Sequence, residues 1–203
     1  MNGPTISSVS KENVWKNNPV AVQILGICSA LAVTNTLINT LIMTLGVTFV
    51  TGLSSFTIAI IKSLIPRKVR MITQTLIIAF YVIIVDIILR AYLPDISKSL
   101  GPYVGLIITN CIIMGRAEAF AQSNKPFLSL IDGLTSGFGY MIILIIIAFI
   151  RELLGSGSIL GFTVMPKGFI SWTIMLTPPS AFFILGFLIW GMKSIMLKKE
   201  KKA

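Results

Sequence analysis

The sequence predicts an all-α integral membrane protein: six transmembrane helices arranged as a 3+3 inverted-topology repeat, with short half-helices at segments 1 and 4. Three observations predict it. The chain is 55% hydrophobic and 12% charged, with a mean hydropathy of +0.90, too few charges to cover a water-soluble globule of 203 residues. Its apolar segments come in the order short, long, long, and then short, long, long again. Lys and Arg concentrate on alternate connections between those segments. No polar stretch is long enough for a separate soluble domain. Residues 1–203 therefore read as one membrane domain, with 1–97 the first repeat and 98–203 the second.

Residues 1–18 are rich in Ser, Asn and Lys and read as a cytoplasmic leader. The first apolar segment, Pro19 to Val33, has some 15 residues before Thr34-Asn35-Thr36. A full crossing takes roughly 20. Pro19 suits the first helical position, where its missing N–H costs nothing, and Asn18 suits the cap. The second segment, Leu37 to Ile61, is long enough to span with tilt. Lys62 to Arg70 is a basic connection that Pro66 keeps from continuing as helix. The third segment, Met71 to Leu89, contains Asp86. The fourth, Pro102 to Met114, is again short and again opens on proline. Gln122 to Pro126 reads as a turn-rich loop, and the fifth segment runs from about Gly133 to Ile150, capped by Asp132 and closed by Arg151-Glu152. After a longer outer loop the sixth starts near Pro178-Pro179 and ends at the lysine cluster. Three crossings per half is an odd number, so the second half begins from the opposite face, and short segments at matching positions of such halves mark a functional site.

The net charge of +10 invites a nucleic-acid partner, because clustered Lys and Arg neutralise phosphates. Their distribution speaks for topology instead. With six crossings, 13 of the 17 lie on one side, and the other side holds Arg90, Lys98, Arg151 and Lys167. That excess places both termini in the cytoplasm. Pro19 to Ile27 is too short for the apolar region of a convincing signal peptide, and the bulky Ile27 argues against lipidation at Cys28. The absence of histidine excludes histidine-ligated haem, Rieske and zinc sites within this chain. Gly155-Ser-Gly157-Ser-Ile-Leu-Gly161 has neither the preceding strand nor the lysine of a nucleotide-binding loop. Trp15, Trp172 and Trp190 read as interfacial anchors.

Each short segment carries a cysteine nine residues after its proline, Cys28 and Cys111. On a continuous helix rising about 1.5 Å per residue, each thiol stands roughly 13.5 Å beyond its helix start, close to half of an apolar layer about 30 Å thick. Entering from opposite faces, the two depths differ by only about 3 Å. A cysteine in an apolar segment is ordinarily a small hydrophobe. Two at equal depth on the two short segments equally suit soft-metal ligation by iron–sulfur, zinc or Cu(I). Two thiolates do not close a tetrahedral site, so the remaining ligands would come from another chain.

The charged residues inside the segments carry open alternatives. An acid within the membrane is a candidate ion or proton site, which marks Asp86; paired with Arg90 at i, i+4 near the outer interface, it is structural instead. Arg116 and Glu118 are two apart and do not face each other on a helix. Gly115 lets the chain unwind there, leaving the pair to line a polar cavity, bind a partner or coordinate sodium.

The segments LGICSALAVT, with its preceding NNPVAVQ, and LIITNCIIMGRAEAFA resemble the D-type members of the membrane-subunit family shared by the sodium-translocating NADH:quinone reductase and the Rnf ferredoxin:NAD oxidoreductase. IDGLTSGFGY, RELLGSGSILG and PSAFFILGF fit the same family, so the resemblance runs from Asn17 to about Trp190. Ser29 stands where the E-type subunit of Rnf is expected to have proline, which favours the quinone-reductase branch. The resemblance implies a non-autonomous member of an oxidoreductase complex in the bacterial inner membrane, paired with a homologous E-type subunit and assembled with the A, B, C and F subunits. It implies a 2Fe-2S cluster held by two cysteines from each of the paired subunits, with Cys28 and Cys111 at the ligand positions, relaying electrons across the membrane in coupling to Na+ export. NAD, FAD, FMN and quinone would belong to other subunits, and this chain would hold no catalytic residue. Two readings stand beside it: a metal-free secondary transporter worked by Asp86, Arg116 and Glu118, and an assembly scaffold with inert cysteines.

Overall fold

The computed structural model describes residues 20, 22–92, 101, 105–159, 162–163, 174 and 177–200. The expectations placed on the leader, on Asn18, Pro19 and Pro102, on Trp15 and Trp172 and on most of the outer loop lie outside the described residues. Within them the elements are α1 (Ile27–Val33), α2 (Leu37–Ile61), a single 3-10 turn (Arg67–Val69), α3 (Arg70–Tyr92), α4 (Cys111–Arg116) widening into a π-helical turn (Ala117–Ala121), α5 (Pro126–Ser156) and α6 (Pro178–Glu200). A two-residue hairpin, β1 (Ser158–Ile159) against β2 (Phe162–Thr163), follows α5. Three helices among the described residues are long and apolar enough to cross a membrane: α2, α3 and α5. The apolar part of α6, Pro179–Ile195, is shorter.

The helices are patterned inside out. On α2 the residues facing the interior are Thr40, Thr44, Val47, Thr51 and Ser55, while Ile38, Leu41, Leu45 and Phe49 face outward. On α3 the outward row is Ile72, Leu76, Phe80, Ile83 and Ile87. Large apolar side chains outside and small polar ones inside suit lipid, where packing and interhelical hydrogen bonds hold helices together and burial of apolar surface does not. The buried threonine hydroxyls of α2 are satisfied locally, while Ser55 Oγ has no partner among the described residues. Thr44 donates to the Thr40 carbonyl at 2.8 Å and Thr51 to the Val47 carbonyl at 2.6 Å, which removes the cost of carrying an unpaired polar group in a medium without water.

The centre of the molecule is the contact of α2 with α5, which run antiparallel. Leu37, at the start of α2, meets Glu152, near the end of α5; Thr48 meets Gly137, Thr51 meets Gly133, and Lys62 reaches the carbonyl of Asn124. A Cβ on Gly137 would fall 2.7 Å from the Thr48 Cα, and one on Gly133 would fall 2.8 Å from the Thr51 carbonyl oxygen. The spacing Gly133-x-x-x-Gly137 therefore brings backbone against backbone, as small residues four apart do in membranes.

Five expectations are corrected. The fifth helix begins at Pro126, with Lys125 extended before it, because proline after a turn starts a helix at its first position. Asp132 accordingly lies in the second turn and is not a cap. The first short segment is no continuous helix: Ile24 and Gly26 have φ of 57° and 82°, left-handed values that a right-handed helix cannot pass through. In the second, residues 105–108 are helical, the chain breaks at 109–110, and a new helix starts at Cys111. Gly115 does not unwind the chain either, since helix continues past it into the π-turn.

The glycine contact yields the first expected outcome. Gly137→Ala destabilises the protein by about 1–3 kcal/mol through overpacking, whereas Gly46→Ala, whose Cβ meets only the Val85 Cγ1 at 3.5 Å, stays within about 0.5 kcal/mol. Thermal unfolding in detergent checks it; equal loss at both positions contradicts the close approach of α2 and α5.

Candidate functional site

Cys28 is the second residue of α1 and Cys111 the first of α4. Each follows directly on a backbone break, and the breaks make the two thiols electrostatic neighbours. Both are free and exposed on the surface of this chain. The sequence expectation that the two sulfurs meet agrees with the structure, but the uniform helical rise behind it does not apply.

The breaks are held from behind by one hydrogen-bonded group. The Asn110 Oδ1 accepts from the Ile112 N–H at 3.1 Å and so starts α4. Its Nδ2 donates to the Ser29 Oγ at 3.3 Å, joining the second break to the first. Ser29 Oγ donates to the Gly26 carbonyl at 3.0 Å and lies 2.5 Å from the Tyr140 hydroxyl of α5. Ser29, Asn110 and Tyr140 are each wholly buried. At its far end α1 is fixed by hydroxyls: Thr34 donates to the Ala30 carbonyl at 2.5 Å and Thr40 to the Val33 carbonyl at 3.0 Å. Arg151, fully buried, donates to Thr34 Oγ1 at 2.6 Å and to the Thr177 carbonyl at 3.2 Å, binding α1 and the start of α6 to α5. Glu152 accepts from the Leu37 N–H at 2.6 Å and caps α2.

The other sequence candidates stand apart from the thiols and from one another. Arg116 forms a buried two-pronged ion pair with Asp132, Nε to Oδ2 at 2.9 Å and a second contact through Nη2, with its guanidinium 5.5 Å from the Phe120 ring centroid. Glu118 binds Arg70 and accepts from Gln74 Nε2 at 3.0 Å, so Arg116 and Glu118 do face different ways. Asp86 pairs with Arg90 at 2.9 Å, the i, i+4 arrangement expected from the sequence. Asp86 lies 12 residues beyond Gln74 on α3, about 18 Å along the axis, so it cannot share a site with Glu118. Among the described residues no group of three or more His, Cys, Asp or Glu side chains gathers at one point.

Sequence reasoning noted Ser29 only as a marker of the family branch and did not single out Asn110 or Tyr140. The one available signal was Tyr140 itself, a hydroxyl-bearing ring in the middle of an apolar segment, where a polar group needs a partner.

Fold and site together define a polytopic helical membrane protein that presents a pair of thiols, without further ligands of its own among the described residues, on its outer surface. The chain belongs to the Rnf-Nqr subunit membrane protein family, whose model matches residues 6–189. It is similar to the D subunit of the Na(+)-translocating NADH-quinone reductase of Yersinia enterocolitica, 52% identical over 192 residues covering 90% of each chain. It is 51% identical to the protein of that name from Yersinia pestis over 200 residues, covering 94% of this chain and 93% of the other.

The Arg116–Asp132 pair is held in low dielectric, and removing one partner strands the other. Asp132→Asn is expected to cost about 3–5 kcal/mol, and Arg116→Met combined with Asp132→Leu to recover most of it. Thermal unfolding of the two variants checks this; a harmless Asp132→Asn contradicts it.

Proposed function

We propose that this chain is the D-type membrane subunit of a sodium-translocating NADH:quinone reductase, in which Cys28 and Cys111 supply half of the thiolates of a 2Fe-2S centre completed by a homologous E-type subunit. The observation that carries the reading is the convergence of two thiols from distant segments onto one exposed spot of the chain. Thiolates are the ligands iron–sulfur clusters take, and the donor set here is two, half of what such a centre needs. Bound there, the centre would supply one-electron transfer between the two faces of the bilayer.

The residues of this chain do the rest. Asn110 and Ser29 hold the breaks that present the thiols, and Tyr140, Ile112 and Ile113 close the space behind them to water. A thiol at each break and the antiparallel α2–α5 pair support the inverted 3+3 arrangement of six crossings, with 1–97 and 98–203 as its halves. The excess of Lys and Arg supports cytoplasmic termini in a bacterial inner membrane. NAD, FAD, FMN and ubiquinone belong to the other members of the complex, the A, B, C, E and F subunits. Sodium export would be coupled through movement of the short segments that meet at the centre. Arg116, Glu118 and Asp86 are each engaged in an ion pair, which leaves the thiols as the better-supported functional groups.

Iron and acid-labile sulfide in the purified complex test the reading. Cys28→Ser and Cys111→Ser are each expected to remove the same share of both elements and to stop quinone reduction. Unchanged iron and sulfide with both cysteines replaced overturns it, and sodium flux that survives the double replacement favours a transporter instead.

A further inference from the structure

We infer that Tyr140 is a positioning residue for the Cys28–Cys111 pair: its hydroxyl locks the two cysteine-bearing breaks to each other and to α5, fixing thiol spacing and setting the electrostatic environment behind them. The inference rests on the proposed role of the two cysteines as ligands.

Hydrogen-bond accounting orients the hydroxyl. A serine hydroxyl has one proton to give and two lone pairs to receive with. Ser29 gives its proton to the Gly26 carbonyl and receives from Asn110 Nδ2. Its remaining lone pair faces the Tyr140 hydroxyl at 2.5 Å, so Tyr140 is the donor there. Asn110 reaches the tyrosine through that serine, donating to the same Ser29 oxygen at 3.3 Å. One phenol thus engages the residue directly after Cys28 and, through it, the residue directly before Cys111. Its ring does a second job: a Cβ on Gly26 would lie 2.9 Å from Tyr140 Cε2 and 3.0 Å from Ile112 Cδ1, so the left-handed turn at Gly26 is seated on the ring and on the second break at once. Tyr140 lies near the middle of the 31-residue α5, three residues past Gly137, whose contact with Thr48 fixes the helix.

Two consequences separate this role from packing alone. Removing only the oxygen loosens the link between the breaks while the ring still fills its space. It also removes a dipole whose positive end points toward the cysteine-bearing segments, a field that favours added negative charge there, so reduction of the bound centre becomes harder.

The test compares Tyr140→Phe with Tyr81→Phe in the whole complex. Tyr81 loses an equivalent hydroxyl, bonded to Thr57 Oγ1 at 2.7 Å on the α2–α3 contact. Four quantities are read: iron content, the midpoint potential and the electron paramagnetic resonance line shape of the reduced centre, and, after iron is removed, the rate at which dibromobimane cross-links Cys28 to Cys111. Tyr140→Phe is expected to lower the midpoint potential, alter the line shape and slow cross-linking several-fold, while Tyr81→Phe matches the parent protein in all four. If Tyr140→Phe does not assemble, Ser29→Ala, which keeps the ring, carries the same expectation. Cross-linking and potential identical in the two tyrosine variants overturn the inference with the cluster reading intact. Parent complex whose iron does not depend on Cys28 and Cys111 overturns the cluster reading, and the cross-linking rate alone then decides whether Tyr140 spaces the thiols.

Discussion

The close approach of α2 and α5 sets the distances on which the rest of the molecule depends. In lipid, apolar side chains gain nothing by leaving one apolar surroundings for another, so helices associate through packing and hydrogen bonds. Gly133 and Gly137 supply that packing by letting α5 lie directly on the backbone of α2 at Thr51 and Thr48. Tyr140 is less than one turn farther along the same helix, so the glycine contact fixes where the phenol can reach. A wider separation of the two helices would carry the hydroxyl away from Ser29 and leave two buried breaks unsupported.

Breaks in a membrane helix are costly because every freed N–H and C=O must find a partner inside the protein. This chain meets that demand with short polar side chains close to each break. Asn110 takes the N–H of Ile112, Ser29 takes up the Gly26 carbonyl, and Thr34 and Thr40 occupy carbonyls at the end of α1. Charge is handled in the same way, by pairing: Arg116 with Asp132, Glu118 with Arg70, Asp86 with Arg90. Arg151 and Glu152 act on one end of this arrangement by clamping α1, α2 and the start of α6.

The sequence made the membrane class and the long helices readable, because apolar length is a direct consequence of bilayer thickness. α2 runs from Leu37 to Ile61 as the pattern predicts, and α3 and α6 start within a residue or two of expectation. The cysteines were legible as a pair because they recur at equal spacing. What the pattern could not show was how the short segments bend. Prolines at their starts argue for helix, while Gly26 in a left-handed conformation and Asn110 capping a fresh helix decide otherwise through contacts with distant residues. Asp132 was misplaced for a related reason, since a cap and a buried ion-pair partner are the same residue type and only Arg116 distinguishes them. Tyr140 escaped notice because its partner, Ser29, lies 111 positions away at the first break.

The two breaks are alike in outcome and unlike in construction. The first uses a left-handed glycine and a serine that follows its cysteine; the second uses an asparagine that precedes its cysteine and caps the helix itself. Asn110 of the second break bonds Ser29 of the first, and Ser29 bonds one tyrosine, which comes from the second half of the chain alone. The thiol pair is thus firmly backed on the side of its own chain by buried hydrogen bonds and ring contact, and exposed on the other. A rigid back and an open front are what a half-site requires if its remaining ligands arrive with another protein. The donor geometry is then fixed before assembly, and docking of the partner has only to bring its own pair to the same point. The proposed shared centre follows from that asymmetry as much as from the chemistry of sulfur.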